Sequence, residues 1–172
     1  IASAILLGAC APQGPKKPRL CLFVGFDVSG SFLKSPHYGD AMEFLGRYLN
    51  AHLTGAGGLD VPAELFVGSI GGETKNDVKT LFPKQTFEGK SPEEIAARLR
   101  ELFPKDAKDD YTDFNAFFRQ VADTVKSKNL ILRPIAVVLI SDGVPATGKL
   151  SGKPDFRAVD LKPLENLSRN AT

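Results

Sequence analysis

The chain has 172 residues, 42% hydrophobic and 24% charged, with 16 Gly, 12 Pro and 12 Phe. At roughly 100–200 residues per domain, this is one globular domain, and the mix excludes a coiled coil or a disordered chain. Lys+Arg at 22 against Asp+Glu at 20 give a net charge of +2, which argues against a nucleic-acid binder, and two Cys and two His exclude a disulfide-dense scaffold, a Cys-rich zinc site and extensive His chemistry.

Ile1 to Cys10 reads I-A-S-A-I-L-L-G-A-C. It is shorter than the ~20 apolar residues of a transmembrane helix and has the size of the end of a signal-peptide hydrophobic region. Leu7-Gly8-Ala9-Cys10 resembles the bacterial lipobox. That resemblance implies that residues 1–9 are removed and that Cys10 is diacylated as the mature N-terminus. Residues 10–19 would follow as a Pro/Gly tether whose Lys16, Lys17 and Arg19 favour an anionic bilayer surface. The protein would then sit lipid-anchored in a bacterial cell envelope, on its periplasmic or extracellular face. The alternative is an ordinary first strand or helix with a buried Cys10.

Leu20 to Phe26 is a continuous apolar run, as in a strand buried on both faces of a parallel sheet, with Cys21 a small core residue. Gly39 to Leu53 carries Ala41, Phe44, Leu45, Tyr48 and Leu49 at helical spacing, and the Thr54 to Gly58 segment stops it. Ala63 to Ile70 is a second strand; Lys75 to Phe82 is a third, short and polar, expected at an edge. Ser91-Pro92-Glu93-Glu94 starts a helix that ends near Phe103, before Pro104. The Lys105 to Asp113 segment reads as a solvated acidic loop. Thr112 or Asp113 caps a helix with Phe114, Phe117, Phe118, Val121 and Val125 on one face. Pro134 to Ile140 is the most apolar strand, read as a second buried one, and Lys162 to Arg169 begins a last helix. Alternating strands and helices predict an α/β fold, an open, doubly wound, mostly parallel sheet with helices on both faces, over residues 20–172.

Asp27-Val28-Ser29-Gly30-Ser31 follows the first strand, and Ser141-Asp142-Gly143 follows the strand ending at Ile140. Open α/β sheets bind ligands at such carboxyl ends. If the two strands are neighbours, Asp27 and Asp142 face one site, with Thr112 as a hydroxyl at a helix start and Asp113 nearby. These are hard oxygen donors, which suit Mg²⁺, Mn²⁺ or Ca²⁺ and suit Zn²⁺ or Cu²⁺ poorly. Taken alone, Asp-x-Ser-x-Ser also fits a turn or a helix cap.

The order of these motifs resembles the von Willebrand factor type A domain and its metal-ion-dependent adhesion site. The resemblance implies that Asp27, Ser29, Ser31, Thr112 and Asp142 are the metal residues. The hydroxyls of Ser29, Ser31 and Thr112 would contact the metal directly, and the two Asp would act mostly through water. A protein partner would add a Glu or Asp carboxylate. The sheet order would be 3-2-1-4, with the family's final strands beyond Thr172 and an apolar edge beside the fourth strand. One departure is Tyr111 before Thr112, where the family usually has Gly.

The resulting expectation is a metal-dependent protein-binding domain of a membrane-anchored lipoprotein, not an enzyme. No His or Cys stands in these motifs as nucleophile or base. The alternatives are a scaffold with a structural or vestigial metal site, and a Mg²⁺-dependent phosphotransfer enzyme. Gly143 to Lys149 spells G-x-x-x-x-G-K, but Leu150 follows where a P-loop needs Ser or Thr. A dehalogenase-like phosphatase wants Asp where Ser29 stands. His37 and His52 read as surface or satisfied side chains, and Asn166 and Asn170 head formal glycosylation sequons that matter only in a eukaryotic secretory context.

Overall fold

The computed structural model describes residues 17–72, 79–105, 111–145 and 156–169. Cys10 and the lipobox, residues 75–78 of the Lys75 to Phe82 segment, residues 106–110 of the Lys105 to Asp113 segment, Gly148-Lys149 and the Asn170 sequon lie outside the described residues. The main elements are β1 (Cys21–Phe26), α1 (Gly30–Leu33), α2 (Tyr38–Thr54), β2 (Glu64–Ser69), β3 (Gly71–Gly72) and β4 (Phe82–Pro83). They continue with α3 (Pro92–Leu102), β5 (Tyr111–Thr112), α4 (Phe114–Ser127), β6 (Ile135–Ile140) and α5 (Lys162–Arg169). Among the described residues, no helix is long and apolar enough to cross a membrane.

The fold is mixed α/β, built on an open sheet of order β4-β2-β1-β6. β1 pairs in parallel with both β2 and β6, and the short β4 runs antiparallel at the edge. The alternation of β1 explains its unbroken apolar sequence. Leu22, Val24 and Phe26 enter a core with Met42, Leu45 and Leu49 of α2 and Ile95 and Leu99 of α3. Cys21 and Phe23 enter a second core with Phe117, Val121 and Val125 of α4 and Leu167 of α5. Helices therefore cover both sheet faces, and every residue of β1 is buried. Fully burying each large apolar side chain stabilises the fold by about 1.5–3 kcal/mol.

Helix limits follow local chemistry. α2 ends at Gly55, whose φ of 72° is left-handed and suits glycine. At α3, Ser91 accepts from Glu94 N–H at 3.2 Å while Glu94 accepts from Ser91 N–H at 2.7 Å, a reciprocal cap behind Pro92. Asp113, not Thr112, caps α4 by accepting from Ala116 N–H at 2.9 Å.

Three expectations are corrected. β6 is only half-buried along its length, because it borders the sheet and has β1 as its only strand neighbour among the described residues. Within the expected third strand, only Phe82, with Pro83 after it, pairs with β2 among the described residues. Proline, lacking an N–H, is tolerated on such an edge. Thr112 lies in β5, paired with Gly71 of β3, two residues before α4 begins.

Candidate metal centre

The site forms where β1 and β6 end side by side. Phe26 is level with Ile140, and Asp27 N–H donates to the Ile140 carbonyl at 2.9 Å. The register thus places Asp27 beside Ser141 and brings Asp142 to the same sheet end. The expected condition, that the two strands be neighbours, is met.

Asp27 is 0% exposed, and Ser29 and Thr112 are also buried. Ser31 and Asp142 are exposed, so the cluster has a buried floor and an open rim. Asp27 Oδ1 accepts from Ser29 N–H at 2.8 Å, and Ser141 Oγ donates to Asp27 Oδ2 at 2.5 Å. Ser29 occupies the cap position of α1, yet its side chain makes no capping bond. Its Oγ lies instead 3.2 Å from Ser31 Oγ. Ser31 Oγ in turn donates to Asp142 Oδ2 at 3.0 Å. The turn geometry open to Asp-x-Ser-x-Ser is present at Asp27, whereas the side-chain cap is absent at Ser29.

Thr112 is tethered to the same end by backbone. Ile70 N–H donates to the Phe26 carbonyl at 2.9 Å, and Asp113 N–H donates to the Ile70 carbonyl at 3.1 Å. Below this link, Gly25 and Gly68 stand side by side in β1 and β2, and the Phe117 ring seats on them. A Cβ at Gly25 would lie 2.9 Å from Phe117 Cε1. Missing side chains on the sheet thus let the first turns of α4 approach the site.

Burial pushes the Asp27 carboxyl above its ordinary value; bonds from Ser141 and Ser29 oppose this, and the Asp142 charge adds to it. A buried carboxylate with a second carboxylate nearby and, among the described residues, no basic side chain hydrogen-bonded to it is electrostatically matched to a cation. Asp27, Ser29, Ser31 and Asp142 are linked by contacts of 2.5–3.2 Å that run through Ser141 and backbone. Their donors are all oxygen, so the residues fit a hard divalent ion. No group of three or more His, Cys, Asp or Glu suited to a metal occurs among the described residues. That leaves hydroxyl ligation untouched.

Ser141 is the site residue to which sequence reasoning assigned no role. Its signal was register: two apolar strands ending level put the next residues, Asp27 and Ser141, side by side. His52 is buried, with Nδ1 2.9 Å from the Asp60 carbonyl, His37 is exposed, and Cys21 lies at the opposite, amino end of β1. No known family model, curated protein or solved structure matches the chain.

Proposed function

We propose that the chain is a divalent-metal-dependent protein-binding domain of the von Willebrand factor A type, in which Asp27, Ser29, Ser31, Thr112 and Asp142 form the metal site. The observation that carries this reading is the meeting of Ser29, Ser31 and Asp142 over the buried Asp27, at the ends of adjacent parallel strands. The sheet order, with its third main strand at the edge, followed by the second, first and last, supports the same reading.

Ser29, Ser31 and Thr112 would hold the ion, Mg²⁺ or alternatively Mn²⁺ or Ca²⁺, through their hydroxyls. Asp27 is already occupied on both oxygens by Ser29 N–H and Ser141, which suits a role through water. When bound, the ion supplies an electrophilic centre for an acidic side chain of a protein partner. Two carboxylates balance a divalent charge, and neutral hydroxyl ligands leave the ion receptive to an added anion. Binding rather than catalysis is favoured because no His or Cys is hydrogen-bonded to Asp27 among the described residues. In this reading Cys10 carries the lipid that holds the domain at a bacterial envelope membrane.

Capture of partners from an envelope extract by the chain is expected in Mg²⁺ and lost in EDTA or with Ser31→Ala. A structural or vestigial site is the second reading, favoured by Ser29, Ser31 and Asp142 satisfying one another without an ion. It expects equal capture in Mg²⁺ and EDTA. Turnover of a generic phosphate ester that Asp27→Ala abolishes would contradict both and mark a phosphotransfer enzyme. The anchor is checked by mass spectrometry of Cys10 expressed in a bacterial host, where acyl mass is expected and an unmodified thiol refutes it.

A further inference from the structure

We infer that Ser141 is the positioning residue of the metal site, orienting Asp27 through a hydroxyl whose direction the backbone fixes. The inference rests on the metal reading above and adds a residue to it.

Ser141 Oγ makes two bonds of opposite sense. It accepts from Gly143 N–H at 3.0 Å and donates to Asp27 Oδ2 at 2.5 Å. An N–H can only donate, so that contact engages a lone pair on Oγ and leaves the hydroxyl proton for the carboxylate. With Ser29 N–H on Oδ1 at 2.8 Å, both Asp27 oxygens are held, and carboxylate rotation is blocked.

Asp142 repeats the arrangement from the other strand. Its Oδ1 accepts from Val144 N–H at 3.0 Å, and its Oδ2 accepts from Ser31 Oγ at 3.0 Å. Each carboxylate therefore takes one bond from its own turn and one from a hydroxyl of the opposite loop. The two hydroxyls are not equivalent. Ser31 is exposed, and its Oγ is shared with Ser29, so it can turn toward an ion. Ser141 is half-buried and held by Gly143, and its bond to buried Asp27 can persist when the site fills. Ser31 is thus the exchangeable partner and Ser141 the fixed one. Partners that orient metal-site ligands in this way typically change affinity about 10–100-fold when removed.

The test uses the full chain and Mn²⁺, with free ion followed by its electron paramagnetic resonance signal. Wild type, Ser141→Ala and Ser141→Thr are titrated, and melts in EDTA confirm that each is folded. Ser141→Ala is expected to weaken Mn²⁺ binding about 10–100-fold, and Ser141→Thr, which keeps the hydroxyl, to restore it. A purely structural latch would lower the melting temperature in EDTA and leave Mn²⁺ affinity unchanged. Unchanged affinity in Ser141→Ala, or equal weakening in Ser141→Thr, overturns the assignment while the metal reading stands. If the wild type takes up no Mn²⁺, both fall. Should Ser141→Ala fail to fold, Ser141→Cys, whose thiol is only a weak donor, takes its place: weakened Mn²⁺ binding that Ser141→Thr does not share supports the role, and unchanged affinity overturns it.

Discussion

Asp27 is fully buried, and its neighbours are hydroxyls, a backbone N–H and another carboxylate. Its carboxyl is raised because burial outweighs the hydrogen bonds from Ser141 and Ser29. A raised carboxyl holds its proton more tightly folded than unfolded. That stabilisation is fully present below the unfolded value of about 3.9 and is lost as pH rises through the folded value. Above that folded value the metal-free protein therefore carries a buried anion that its surroundings only partly offset. Asn at position 27 could keep an acceptor for Ser29 N–H and offer a donor to Ser141. Asp27→Asn in EDTA is expected to melt above the wild type at pH 7, by about 2–4 °C for each kcal/mol recovered. The difference should shrink toward pH 4. A wild type that melts at or above the variant across this range would contradict the account. The Asp-x-Ser-x-Ser and Ser-Asp-Gly positions were legible because polar residues stand out after apolar runs. The role of Ser141 was not, since it depends on which residue of one strand lies level with which residue of the other.

The long elements were readable from local signals. Lys162 to Arg169 appears as expected, and α3 falls within one residue of the Ser91 to Phe103 reading, because cap chemistry is a short-range property. The two-residue β3 and β5 and the four-residue α1 carry no such signal. β3 and β5 exist because the chain at Ile70 is tied to both Phe26 and Asp113. Gly46 shows how packing overrides propensity. It lies within α2, where Ala would be favoured by ~1 kcal/mol, but an added Cβ would stand 2.5 Å from the Pro92 carbonyl oxygen and 3.0 Å from Ala96 Cβ. Backbone at the start of α3 cannot move aside as a flexible side chain could. Gly46→Ala is expected to destabilise by about 1–3 kcal/mol in denaturant unfolding, as overpacking does. A neutral or stabilising result would mean that α2 and α3 are not in this contact.

Across the whole molecule, β1 and β6 differ in burial although both are continuous apolar runs. Hydrophobicity alone does not distinguish the centre of a sheet from its border, which explains why β6 read as fully buried. Cys21 and Asp27 N–H groups donate to the carbonyls of Pro134 and Ile140, so alternate residues of β6 face β1. The amides of Ile135, Val137 and Leu139 point to the open edge, a surface natural sheets usually protect. In hydrogen exchange, Ala136, Val138 and Ile140 are expected to be protected and the alternate amides to exchange much faster. Uniform protection would show that another strand covers β6. At this scale the near-neutral composition conceals a local acidic feature, Asp27 and Asp142 with hydroxyls between them. Calorimetric titration of Mn²⁺ into the wild type and Asp142→Ala shows whether this feature binds a divalent ion. Asp142 is exposed, so its loss should spare the fold. A saturable site in the wild type that Asp142→Ala weakens strongly is the expected result. The absence of metal-linked heat in the wild type, or undiminished binding in Asp142→Ala, would contradict it.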